Sequence, residues 1–286
     1  VLKSGFILVL FFLLFACADK EKKYVPVQKT AHPSGYWWLN PDTLPSWSET
    51  GRFRSTRWDG GPIEAEKGRL SGWPYWEKDD PKGVLEAVRN FYRPQSIEWA
   101  KRAGFNWVWV TWSNGFSHET ERRQWKILRD YIKACHKEDI KVTAYISGSN
   151  MFWEDMLDHV PESREWRQLN ENGEPIPYGA ARYSDSGITR YMADVTNPEW
   201  LEYQRVRIRE ALKANVDGFW IDNIFRKNSS AIRTLIEMIF EEAASLKNYT
   251  KTPLVHFNFN VGQNILYYGR YTNSLSTESA EEPGYY

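Results

Sequence analysis

The chain predicts an α/β fold, a parallel (β/α)8 barrel of which about six strands lie within its 286 residues. Three observations point there. Helical and strand-like apolar patterns alternate from residue 86 onward, which argues for βαβ units and a parallel sheet. No glycine-rich phosphate loop follows an early strand, which disfavours the competing doubly wound nucleotide-binding sheet. Polar or aromatic clusters instead end successive strands, at 112–114, 147–150, 194–197, 222–223, 258–260 and Glu278. A barrel gathers such strand-end loops into one mouth, where its chemistry sits.

The elements follow in order. Residues 94–103 read as an amphipathic helix carrying Ile97 and Trp99, and Gly104 suits the turn after the helix. Residues 105–112 read as a strand. In 119–137, Trp125, Leu128, Ile132 and Cys135 recur at helical spacing. Residues 140–146 form the second strand of the barrel pattern, and a long insertion runs from its exit loop to about residue 190. Residues 190–195 read as the third strand, with Pro198 in the first turn of a helix over 199–214. The fourth strand, 216–221, is built on Phe219, Trp220 and Ile221, which suit a buried pleated sheet. A helix at 230–246, a fifth strand at 253–260 and a short sixth at 274–278 complete the pattern. A closed barrel needs eight strands, so the barrel is expected to be C-terminally truncated in this chain, by two βα units. Residues 24–85, rich in Trp, Pro and Gly, are expected to form a lip over the barrel or an extra strand.

Composition narrows the function. Lys and Arg number 37 against 37 Asp and Glu, with no basic block in the body of the chain. Phosphate binding needs a concentrated positive face, so a nucleic-acid partner is disfavoured. The 15 Trp and 16 Tyr are unusual, and several stand beside polar residues in expected loops. Flat rings at a wet, concave surface suit the apolar faces of sugars.

The first residues read as an export signal. Lys3 precedes an apolar run over 5–16, too short to span a membrane and fitting a signal-peptide core. It ends in Leu14-Phe15-Ala16-Cys17, similar to the lipobox of bacterial lipoproteins apart from Phe15, where a small residue is usual. The division expected is a signal over 1–17, a tether and N-terminal extension over 18–85, and a partial barrel domain over 86–286. Lipidation at Cys17 would anchor an exported protein to a membrane, periplasmic or at the cell surface. The alternative is an ordinary cleaved signal with an incidental Cys17. Cys135, on an expected helix, reads as a buried inert thiol. The five His are scattered and no His-Glu-x-x-His occurs, so neither a metal nor another cofactor is expected.

The run 217–224 ends abruptly in Asp222 and Asn223. An acid where a barrel strand leaves the core reads as catalytic, against the plainer role of starting a turn. Residues 190–200, a helix, then 216–223 resemble the third-to-fourth-strand region of glycoside hydrolase barrels of the TIM type. The style is nearest to the α-galactosidase-like clan and to hypothetical glycosyl hydrolases related to it and to the α-amylases. The resemblance covers roughly residues 86–282. It implies that Asp222 is the nucleophile and that Glu278, which ends a later strand, is the general acid/base. Many clan members have Asp there, so Glu278 is a departure. Glycoside hydrolysis needs two such carboxyl groups flanking one bond; Glu281 and Glu282 compete for the second role.

Candidate substrate contacts are Trp112, Asn114, Tyr145, Trp153, Asp194, Asn223, His256 and Asn258. Core filling competes at Tyr145, and capping of the Pro198 helix competes at Asp194. A lone strand histidine such as His256 is more often scaffold than ligand. The expected function is cleavage of an O-glycosidic bond in a poly- or oligosaccharide, by the retaining route. The rival is a carbohydrate-binding surface lipoprotein without turnover. A deacetylase or lyase on the same barrel finds no supporting spacing.

Overall fold

The computed structural model describes residues 37, 45–49, 55–56, 61–66, 81–183, 188–223, 229–259 and 274–277. Short helices α1 (Ser46–Glu49) and α2 (Pro62–Glu66) flank a two-residue strand, β1 (Ser55–Thr56). Helices α3 (Pro81–Phe91) and α4 (Pro94–Arg102) lead into β2 (Trp107–Ser113), then α5 (His118–Lys137) and β3 (Lys141–Ser147). The insertion holds β4 (Asn150–Phe152), α6 (Trp153–His159), a 3-10 turn (Pro161–Trp166), β5 (Pro177–Tyr183) and β6 (Ile188–Met192). Helix α7 (Pro198–Lys213), β7 (Gly218–Asp222), α8 (Ser229–Ser245), β8 (Leu254–Phe259) and β9 (Ser274–Thr277) follow.

Six strands form one parallel sheet in the order β1-β2-β3-β7-β8-β9. Among the described residues β1 and β9 each pair on one side, so the sheet is open. The sequence pattern placed 190–195 in this sheet, and that expectation is corrected. Those residues contribute to β6, which pairs antiparallel with β4 and β5 in a separate three-stranded sheet. The reason is register: β3 pairs directly with β7, from Thr143 with Gly218 to Ser147 with Asp222. No place remains between them. β7 is still fourth in the parallel order, because β1, in the N-terminal stretch, supplies the strand that 190–195 does not.

Alternation along each strand gives the sheet two unlike faces. Val108, Val110, Val142, Ala144, Ile146, Phe219, Ile221 and Val255 form a mostly aliphatic face in one core with residues of α5, α7 and α8. Each Val, Ile or Phe side chain among them, fully buried, stabilises the fold by about 1.5–3 kcal/mol. The opposite face carries Trp107, Trp109, Tyr145 and Trp220, a second buried cluster.

Local chemistry fixes the helix starts. Ser117 accepts the Thr120 N–H through its side chain at 3.3 Å and opens α5. Asn197 accepts from the Glu199 and Trp200 N–H groups, and Pro198 follows at the first helical position of α7. Such caps contribute about 1 kcal/mol each. Two buried ionic groups brace the sheet at opposite ends. At the amino end, Asp217 receives Lys251 Nζ at 2.6 Å, the Val142 N–H at 2.8 Å, and stands 2.7 Å from His136 Nε2. Burial alone would raise the Asp217 pKa, but His136 and Lys251 outweigh it and hold the carboxyl below its ordinary range.

At the carboxyl end, Glu121 and Arg207 are both fully buried and meet at 2.9 Å. Glu121 also accepts from Ser113 Oγ and from the Asn114 and Gly115 N–H groups, while Arg207 donates to the Phe116 carbonyl. The loop after β2 is thereby clamped from within. Gly115 sits in that loop at φ +105°, and a Cβ there would meet the Asn150 carbonyl oxygen at 2.2 Å. Only glycine combines that backbone with that approach.

Candidate active site

Period-two alternation lifts Asp222 onto the same face as Trp220, one step further toward the carboxyl end of β7. Its neighbour in register on β3 is Ser147, and that of Trp220 is Tyr145. The site thus has an aromatic floor and a polar rim. Trp109 and Trp220 lie with ring centroids 3.4 Å apart, and His256 stacks on Trp107 at 4.7 Å and on Trp220 at 5.3 Å.

Asp222 is half-buried above this floor. The Tyr145 hydroxyl donates to its Oδ2 at 2.8 Å, and the Asn223 N–H donates to its Oδ1 at 2.7 Å. Its backbone carbonyl accepts the Gly148 N–H at 2.8 Å, which ties the strand end to the loop after β3. Asn223 takes φ +56°, a left-handed conformation that asparagine tolerates better than most residues. Its Nδ2 donates to Tyr145 Oη at 2.9 Å and to Ser147 Oγ at 3.2 Å, and its Oδ1 accepts from the Tyr178 hydroxyl. Ser149 Oγ donates to its main-chain carbonyl. A carboxylate oriented by neutral donors and left partly open can attack an electrophilic carbon or stabilise positive charge beside it.

The expected site residues divide in three. Asp222, Asn223 and Tyr145 come together in one hydrogen-bonded group. Tyr145 serves there as a donor as well as a floor ring, and is 8% exposed.

The structure places a second set away from this group or in the core. Trp112 is fully buried on the helix side, stacked on Trp125 at 5.5 Å with Nε1 donating to the Arg207 carbonyl. A ring sealed between sheet and helices cannot receive a sugar. Asn114 is buried in the clamped loop, its N–H on Glu121 and its Oδ1 accepting from Asn150 Nδ2. Asp194 accepts from the N–H and Oγ of Thr196, the turn that leads into α7. The capping of the Pro198 helix that was weighed against sugar binding at Asp194 falls to Asn197, and Asp194 holds the turn before it. Trp153 packs with the insertion's cluster of Met151, Met156, Trp166, Ala193 and Trp200, and Arg167 lies 4.3 Å from its ring centre. His256 is 7% exposed in the floor, and burial pushes its pKa down to about 3, so the ring is neutral. It is a packing surface beneath the rim.

The third set lies outside the described residues: Glu278, Cys17, and the side chain of Asn258, whose backbone pairs with Ser276. Glu278 directly follows Thr277, the end of β9, which pairs in parallel with Phe259 of β8. Sequence reasoning missed Ser149 and Tyr178 as parts of the group around Asn223. The polar cluster 147–150 marked the loop that holds Ser149. Nothing in the pattern marked Tyr178, because its hydroxyl meets Asn223 only when segments 45 residues apart are packed together. Cys135 is buried on α5, where burial pushes its thiol up to about 12. Among the described residues no three His, Cys, Asp or Glu side chains form a group able to hold a metal ion.

Comparison with known proteins gives a family match and several distant structural ones. No curated protein sequence matches the chain. Among solved structures, an α-amylase from Geobacillus thermoleovorans complexed with acarbose is 14% identical, covers 64% of this chain and 43% of its own, and has a TM-score of 0.45. The noncanonic maltogenic α-amylase AmyB from Thermotoga neapolitana is 16% identical, with 73% and 47% covered and a TM-score of 0.45. An α-galactosidase from Thermus thermophilus is 12% identical, with 57% and 33% covered and a TM-score of 0.41. The chain spans less than half the length of each of these proteins. Residues 86–223, from within α3 to the residue after Asp222, match the family model described as hypothetical glycosyl hydrolase 6.

Proposed function

We propose that the protein is a glycoside hydrolase that cleaves an O-glycosidic bond of a poly- or oligosaccharide, with Asp222 as its nucleophile. One observation carries this reading: a half-buried carboxylate at the carboxyl end of the fourth parallel strand, held by Tyr145 and Asn223 above an aromatic floor. In a (β/α)8 barrel that is the end where chemistry resides. The family match over 86–223 supports the same reading.

The mechanism needs a second carboxyl group to protonate the leaving oxygen. Glu278 takes that role in this proposal, since it follows β9, two places from β7 in the sheet. In the retaining route Asp222 attacks the anomeric carbon while Glu278 gives its proton to the departing oxygen. Glu278 then removes a proton from water, which releases the sugar from Asp222. The two groups would stand about 5–5.5 Å apart. Tyr145 and Asn223 keep the attacking oxygen aimed, which is where positioning contributes most to such a step.

The wider organisation belongs to the same proposal. Residues 1–17 act as an export signal, Cys17 as a lipid anchor to the membrane, 18–85 as tether and extension, and 86–286 as the catalytic barrel. Screening the full-length protein against chromogenic α- and β-glycosides tests the activity. Turnover of at least one, abolished by Asp222→Asn with folding intact, is the expected result. A rate unchanged by that substitution would reject Asp222. Glycan binding without product release, also unchanged, would favour a binding lipoprotein.

A further inference from the structure

Three hydrogen bonds run head to tail from the inserted sheet to Asp222. An ionised carboxylate only accepts, so the single Tyr145 hydroxyl proton goes to Asp222 Oδ2, 2.8 Å away. The Tyr145 oxygen is then an acceptor, and Asn223 Nδ2 fills it at 2.9 Å. That choice fixes the amide. Nδ2 faces Tyr145 and Ser147, so Oδ1 must take its proton from the other side, where the Tyr178 hydroxyl donates to it. Every donor in the chain points toward Asp222, and aligned hydrogen bonds polarise one another in a setting of low dielectric.

Tyr178 belongs to β5, outside the parallel sheet. Its ring is held by Arg190, whose guanidinium lies 4.4 Å from the ring centre and which is itself 8% exposed. Arg190 sits in β6, whose Arg190 pairs with Phe152 of β4. The insertion thus delivers one hydroxyl to the rim on a braced support. Asn223, for its part, is held in a left-handed conformation with Ser149 donating to its carbonyl, so its amide is presented at a fixed angle.

We propose that Tyr178 is a positioning residue for Asp222, acting through Asn223 and Tyr145, so that the inserted three-stranded sheet orients the attacking carboxylate. This rests on Asp222 being the nucleophile, whereas the hydrogen-bonded relay itself is measurable without turnover.

The test uses the full-length protein with tyrosine labelled with 13C at Cζ, each resonance assigned by a Tyr→Phe variant. Tyr178→Phe should move the Tyr145 resonance although Asn223 stands between them. On a cleaved glycoside it should lower kcat roughly tenfold with KM held within about twofold, the signature of a group that acts in the transition state. Asp222→Asn, read from the other end, should move the Tyr178 resonance, which keeps the relay testable if Tyr178→Phe fails to fold. A Tyr145 resonance unmoved in folded Tyr178→Phe, or a Tyr178 resonance unmoved by Asp222→Asn, overturns the relay. Moved resonances in a protein that turns over no glycoside would retain the relay and remove the hydrolase reading. Turnover with unmoved resonances would do the reverse.

Discussion

Asp217 and Asp222 stand at the two ends of one strand, five positions apart in sequence, and the structure treats them in opposite ways. Asp217 is 4% exposed and meets an ammonium, an imidazole and a backbone N–H. Asp222 is half-buried, and the donors described at its carboxylate are a phenol and its neighbour's backbone N–H. A buried carboxylate filled by an ammonium, an imidazole and a backbone N–H is a brace, because removing it would leave those groups without their shared partner. A carboxylate set by neutral donors and left partly open keeps its reactivity. The difference is one of surroundings, and the strand supplies the same residue type to both.

Exchanging damage between the two ends is the largest available test. Asp222→Asn should lower turnover roughly 10³-fold or more, as loss of a nucleophile does, while urea midpoints stay near those of the native chain. Asp217→Ala should do the opposite to stability, costing about 3–5 kcal/mol because His136 and Lys251 lose their shared partner. Urea denaturation of both variants decides the matter, and a destabilisation ranked the other way would break the distinction.

A smaller effect belongs to Gly218, the first residue of β7. A Cβ there would meet the Leu254 carbonyl oxygen at 2.1 Å. Gly218→Ala should therefore force β7 from β8 and cost about 1–3 kcal/mol, as overpacking does. Thermal melting is sufficient to see it.

The floor of the site gives the smallest and most specific test, through pH. Burial lowers the His256 pKa from its ordinary 6.5 to about 3. The unfolded chain therefore binds this proton first, and the contribution present above pH 6.5 is lost as pH falls toward 3. The slope from one such group is at most about 1.4 kcal/mol per pH unit. His118, stacked on Tyr203 and also pushed down to about 3 by burial, acts in the same direction. Replacing His256 with Gln should flatten part of the fall in melting temperature between pH 6.5 and 4. An unchanged acid profile would mean that this ring is not buried as a neutral group.

Much of this layout was legible in the sequence, and the misses have a shared cause. Strands 107–113, 141–147, 218–222 and 254–259 fall where apolar runs and β-formers placed them, and Asp222 lies at the end of its strand as read. Residues 190–192 also form a strand, but whether a strand joins one sheet or another depends on which backbone is free to pair with it. Trp112 illustrates the same limit for a side chain. Its polar neighbours suggested a wet loop, yet its place in the alternation of β2 turns it to the helices.

The sequence by itself determined the alternation of helix and strand, the helix start at Pro198, and the carboxylate at the tip of β7. These depend on periodicity and on groups within a few residues of one another. Only the tertiary structure decided that Tyr178 reaches Asn223, that Glu121 meets Arg207, and that His256 is sealed beneath the rim. Each of those depends on segments between about 35 and 86 residues apart being brought together, and on the burial that follows.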